Sequence, residues 1–155
     1  MAALYLHATS GEVAMQITTR RTILQIKAAA NDRLRISGWG VSFKGTSVSD
    51  APVLVTVLRQ STAGTGLTDV TATNLAKKND GDPETIQTII LQGIGSGEPT
   101  AGALIENFEV HPQMGYRVWY PQGQEIIVPN GERLGFCITT ASLTYACDFE
   151  VDLEE

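Results

Sequence analysis

The closing residues 145–154 constrain the fold most. Tyr145, Cys147, Phe149, Val151 and Leu153 alternate with Ala146, Asp148, Glu150, Asp152 and Glu154. A period of two places the first set on one face of a β-strand and the second on the other. The pattern calls for a sheet with one apolar and one charged face.

Residues 33–60 (RLRISGWGVSFKGTSVSDAPVLVTVLRQ) carry two further strands joined by a loop of small polar residues. Leu34 and Ile36 are apolar on even positions, whereas Trp39, Val41 and Phe43 are apolar on odd ones. Two causes fit this slip of phase. A bulge near Gly38 adds one residue and turns the odd set inward, or the strand is continuous and its second face is covered by another sheet or subunit. Residues 53–58, nearly apolar on both faces, favour the second.

The remaining apolar segments are short and separated by turn signals such as Asn31-Asp32, Asp80-Gly81 and Pro129-Asn130-Gly131. About eight to ten strands, with turns roughly every 8–12 residues, predict an antiparallel sandwich or barrel. A two-sheet jelly roll is the simplest such architecture, because it pairs eight strands without a repeat. Residues 1–30 read as an N-terminal arm or accessory strand, within which 18–27 fit a strand or one helical turn. Residues 31–155 read as the jelly-roll β-sandwich domain.

The net charge of -6 makes nucleic acid a poor partner, since phosphates need lysine and arginine. Residues 1–60 hold seven Lys/Arg against three Asp/Glu, and residues 61–155 hold four against fourteen. Such a split can steer association with an acidic partner or a second copy, or simply mark solvated faces. No apolar run approaches the ~18 residues that span a bilayer, so no membrane partner is expected. The first residues lack the basic and apolar regions of a signal peptide. By parity Cys147 faces inward, while Cys137 is out of phase with Leu134, Phe136 and Ile138. That predicts free thiols, unless a hairpin centred on Ser142 sets the two opposite each other.

Candidate chemistry is sparse. His7 and His111 have no second ligand at metal spacing. Asp80, Asp82 and Glu84 alternate around Gly81 but miss the calcium-loop pattern and read as a solvated loop. Gly93-Ile94-Gly95-Ser96-Gly97 resembles a phosphate loop without the following Lys-Ser/Thr, and reads as a flexible loop. Glu106 and Glu109 fall on opposite faces of a strand, which is a poor placement for an acid/base pair. Trp39, Trp119, Tyr116 and Tyr120 suit core or inter-subunit packing, or stacking on a sugar. The expectation is a protein without catalytic residues, metal or cofactor.

Ile36-Ser37-Gly38-Trp39-Gly40-Val41-Ser42-Phe43-Lys44-Gly45-Thr46-Ser47, followed by Ala51-Pro52-Val53 and Leu58-Arg59-Gln60, resembles small proteins encoded among the head genes of tailed bacteriophages. His111-Pro112-Gln113-Met114-Gly115, Gly131-Glu132-Arg133-Leu134-Gly135 and the acidic closing strand resemble later landmarks of the same group. The resemblance implies an all-β, antiparallel two-sheet jelly roll of the tumour-necrosis-factor-like kind. It implies a homotrimeric capsid decoration protein bound to the major capsid protein of the virion. Trp39, Val41, Phe43, Tyr116, Val118 and Tyr120 would serve the subunit interface, and Arg20 and Arg21 a capsid-gripping arm. A carbohydrate-binding jelly-roll module is the alternative reading. A cupin-like enzyme is a third, and the missing metal ligands weigh against it.

Overall fold

A computed structural model describes residues 3–14, 19–45, 51–93, 95–139 and 145–155. Among them are β1 (Tyr5–Thr9), β2 (Val13–Ala14), β3 (Arg21–Lys27), β4 (Leu34–Gly45), β5 (Val53–Gln60), β6 (Thr68–Asp69), a four-residue helix α1 (Thr71–Asn74), β7 (Leu75–Lys77), β8 (Ile89–Gln92), β9 (Ala101–Val110), β10 (Tyr116–Trp119), β11 (Ile126–Val128), β12 (Arg133–Thr139) and β13 (Tyr145–Glu154). They form two antiparallel sheets packed as a sandwich. One has the order β10-β4-β13-β1-β7, with β11 on β4 and β2 on β13; the other has the order β6-β8-β3-β12-β5-β9.

The alternation in β13 sets one side of the core. Cys147, Phe149, Val151 and Leu153 face the opposite sheet, where Leu24, Ile26, Val55, Val57 and Phe136 meet them. Trp39 lies at the centre, its ring centroid 5.6 Å from Phe136 and 6.0 Å from Phe149.

The phase slip in β4 is a bulge. Asp152 pairs with Gly38 and Leu153 with Ile36, so the register skips Ser37. Leu34 and Ile36 point inward before it, and Trp39 and Val41 point inward after it. An inserted residue therefore accounts for the odd set, and no second covering layer is needed. The glycines then fall on the outer face. A Cβ on Gly38 would lie 2.5 Å from the Trp119 ring, so only glycine lets that ring settle on the strand.

β5 does have both faces covered. Val53, Val55 and Val57 lie in the core, while Thr56, Leu58 and Gln60 are buried on the other side of the sheet. Two loop segments, residues 61–67 and 95–100, form a strap across that side. Thr65 and Gly97 exchange backbone hydrogen bonds of 2.8 and 3.3 Å and tie the segments together. The glycine run expected as a flexible loop is this tie: a side chain on Gly95 or Gly97 would collide with Thr65, and one on Gly64 with Gly97 and Pro99.

The segment 1–30, expected as an arm or accessory strand, supplies β1 between β13 and β7 and β3 between β8 and β12. Both are interior strands, and Leu6, Ile23, Leu24 and Ile26 are fully buried. Cys147 belongs to the core, Cys137 lies beneath the strap, and both thiols are free.

Candidate interaction surfaces

β9 and β10 are edge strands: β9 pairs with β5, β10 with β4. The turn between them is held by the His111 carbonyl, which accepts from the amides of Met114 and Gly115. Among the described residues six large hydrophobic side chains are exposed, and five lie on this side: Leu104, Ile105, Met114, Tyr116 and Trp119; the sixth is Tyr5. The first five residues of β9, Ala101 to Ile105, are all exposed and carry no polar side chain. The register with β5 skips Ile105, and this bulge interrupts the open edge against indiscriminate strand addition. Exposed apolar clusters of this kind mark contact surfaces, because water is displaced from them at little polar cost.

Behind this edge a polar triad closes the mouth of the sandwich. The Trp39 indole donates to the Tyr120 hydroxyl at 2.8 Å and to Glu106 Oε2 at 3.2 Å, and the Tyr120 hydroxyl donates to Glu106 Oε1 at 2.7 Å. Burial, reinforced by the Glu106 carboxylate, pushes the Tyr120 pKa well above the ordinary phenol value. The hydroxyl therefore stays a donor.

The structure brings the two interface sets together as neighbours. Tyr116 pairs with Val41 and Val118 with Trp39. They meet inside one chain, however. Trp39 and Val41 are core residues, and Phe43, Val118 and Tyr120 pack partly buried against them. Tyr116 leans on Phe108 and Trp39 with its rim exposed. The outward residues of β10 are Arg117 and Trp119, which the parity of residues 116–120 could have separated from the inward set. Arg20 is exposed, whereas Arg21 is half-buried, 3.6 Å from Glu98.

The outer face of the β13 sheet carries a charged hub. The Asp152 side chain is 3% exposed and receives His7 Nδ1 at 3.0 Å, Lys78 Nζ at 2.5 Å and Arg117 at 3.1 Å. Burial alone would raise its pKa, but the hydrogen bonds and charges of Lys78 and His7 hold it below the usual carboxylate value. Arg117 also reaches Glu150 at 2.9 Å. Trp119 covers the hub with Arg117 and Lys78 4.9 and 5.6 Å from its ring centroid, within cation–π range. Beside it runs a shallow trough of about 440 Å³ floored by Gly40 and Ser42 and walled by Met114, Tyr116, Arg117 and Glu150.

Other candidates from the sequence take structural places. The His111 ring nitrogen accepts from the Gln113 amide. Asp82 caps the Glu84 amide and, through its carbonyl, holds Lys77. Glu109 is exposed on the face opposite Glu106. Among the described residues no three His, Cys, Asp or Glu side chains converge at metal-binding distance. Comparison with family models, curated proteins and solved structures returns no match to this chain.

Proposed function

We propose that this chain is a structural head protein of a tailed bacteriophage: a decoration protein that sits as a homotrimer on the outer surface of the shell, binds the major capsid protein, and performs no chemical step. The apolar β9–β10 edge carries the reading. A threefold ring joins two different surfaces head to tail. The edge with Leu104 and Ile105 and the outer face around the trough are two such surfaces, which meet at Met114.

Strand order supports a jelly roll of the tumour-necrosis-factor-like kind. Counting β1, β3, β4, β5, β9, β10, β12 and β13 as the eight principal strands, one sheet runs first, eighth, third, sixth and the other second, seventh, fourth, fifth. Two nested Greek keys generate that order. The head-gene resemblance of residues 36–60 supplies the biological setting.

Sedimentation equilibrium at micromolar concentration tests the trimer, with an expected mass three times the 16.6 kDa chain. Co-sedimentation with empty phage heads tests the shell partner. A monomer that ignores the heads would overturn the proposal. One observation favours carbohydrate binding as a second reading: Trp119 is 55% exposed and its ring stacks on Arg117, which walls the trough. A glycan array without hits removes it.

A further inference from the structure

The strap rests on a floor unlike the core. Thr22, Gln25, Thr56 and Gln60 are at most 3% exposed, and with Leu58 and Cys137 they make a buried layer outside the hydrophobic cluster. The strap holds this layer by hydrogen bonds. Glu98 Oε2 accepts from both the amide and the hydroxyl of Thr22 at 2.9 Å, and the Thr62 carbonyl accepts from Gln25 Nε2 at 2.9 Å. Beneath them Gln60 bridges Gln25 and Thr22. No strap residue belongs to the hydrophobic core cluster; Pro99 and Gly95 are its buried members.

The seat is also incompletely satisfied. Among the described residues four buried side-chain polar atoms have no hydrogen-bond partner in the protein: Arg21 Nε, Arg59 Nη1, Gln92 Oε1 and Glu98 Oε1. Two of them, Glu98 Oε1 and Arg21 Nε, belong to the strap's anchoring ion pair. Glu98 anchors the strap on Thr22, and Arg21 approaches it at 3.6 Å; Gln92 Oε1 instead lies toward Gly11, and Arg59 shares the parity of the core-facing Val55 and Val57. Closing the strap strips water from Arg21 and Glu98 and returns only a 3.6 Å ion contact, and opening restores that water.

We infer that the strap is a latch that releases as one unit while the sandwich stays folded. Opening exchanges protein hydrogen bonds for water hydrogen bonds, and the apolar surface it wets is limited to Leu58, Cys137 and Pro99 with the half-buried Ala63 and Leu67. The Thr65–Gly97 tie makes the two segments move together, and Gly64 and Gly66, both at positive φ, lie in the first of them. Low-energy openings of this kind arise where few apolar contacts hold a segment.

The two free thiols report it directly, one under the latch and one in the core. Burial pushes Cys137 up to about 11 and Cys147 up to about 12, so each reacts only when uncovered. Native protein is treated with iodoacetamide and each site is followed by peptide mass spectrometry. Cys137 is expected to label at least about 100-fold faster than Cys147, with Cys147 tracking global unfolding. Glu98→Ala should speed Cys137 a further ~10-fold and leave Cys147 unchanged. Hydrogen exchange on the unsubstituted protein gives a second reading: the Thr65, Gly97 and Thr100 amides should exchange ahead of the β12 amides. Equal labelling rates, acceleration of both thiols together by Glu98→Ala, or strap amides as protected as β12 would each overturn the latch.

Discussion

The space between the sheets and the space beneath the strap are both closed to water, yet they are filled differently. Between the sheets Trp39, Phe136, Phe149 and their aliphatic neighbours form one contiguous apolar cluster, with the Trp39 indole satisfied at its rim. Beneath the strap, glutamine, threonine and a thiol are joined by hydrogen bonds, and at its margin Arg21 Nε and Glu98 Oε1 lack a hydrogen-bond partner among the described residues. Apolar burial is non-directional and accumulates with area. A hydrogen bond formed on folding replaces one to water and contributes only about 0.5–1.5 kcal/mol net. Equal burial therefore gives unequal strength: the sandwich holds the molecule together, and the strap merely rests on it.

The largest expected effect comes from breaking the stronger layer. Trp39→Ala removes the ring at the centre of the core and strands Tyr120 and Glu106 without their indole donor. A loss of about 3–5 kcal/mol is expected, read from the urea midpoint. If the loss stays below 1 kcal/mol, Trp39 is not the keystone of the apolar layer.

Asp152 sharpens the contrast, because its polar contacts tie strand to strand. The hub spans β10, β13, β1 and the end of β7 through Arg117, His7 and Lys78. Asp152→Asn should cost about 1–2 kcal/mol at neutral pH, a modest figure because the cationic partners are partly solvated. The sign with pH follows from the depressed pKa. The carboxylate's contribution is complete above its unfolded value, near 3.9, and is lost as pH falls through the lower folded value. Urea melts of the two proteins should therefore converge on acidification below about pH 4. A gap that persists there would assign the effect to packing instead of charge.

Gly95→Val attacks the weaker layer alone. Its side chain would collide with the Thr65 carbonyl and pry the strap segments apart. About 1–2 kcal/mol is expected. Hydrogen exchange should confine the change to residues 61–67 and 95–100. Loss of protection across β12 and β13 would mean that the strap is integral to the core.

These differences also explain what could be read beforehand. Burying one face of a strand forces period two, so β13 and the inward set of β4 were legible. The slip at Gly38 was visible, but a bulge and a covered face leave the same trace, and the register at Ser37 decides between them. Thr22, Gln25 and Gln60 look like surface residues because nothing local announces a loop laid across them. The glycines at 93–97 signalled an unusual backbone without saying what approached it. Residues 101–105 show no alternation, because an open edge leaves little imprint on side-chain pattern. The charge halves do not survive folding as faces: β1 pairs with β13 and β3 with β12, so His7 meets Asp152, and Arg21 meets Glu98.

The smallest effect on stability tests the surface that belongs to neither layer. Leu104 is 58% and Met114 86% exposed, so neither contributes much to the folded monomer. Leu104→Asp with Met114→Asp should shift the urea midpoint of the isolated chain by no more than ~0.5 kcal/mol. The same pair should abolish higher-mass species in sedimentation, since a charge buried at an apolar contact has no partner there. A drop in stability without a change in mass would place these side chains in the fold. A drop in mass without a change in stability assigns the β9–β10 edge to contact with another molecule, and separates what holds this chain together from what it holds.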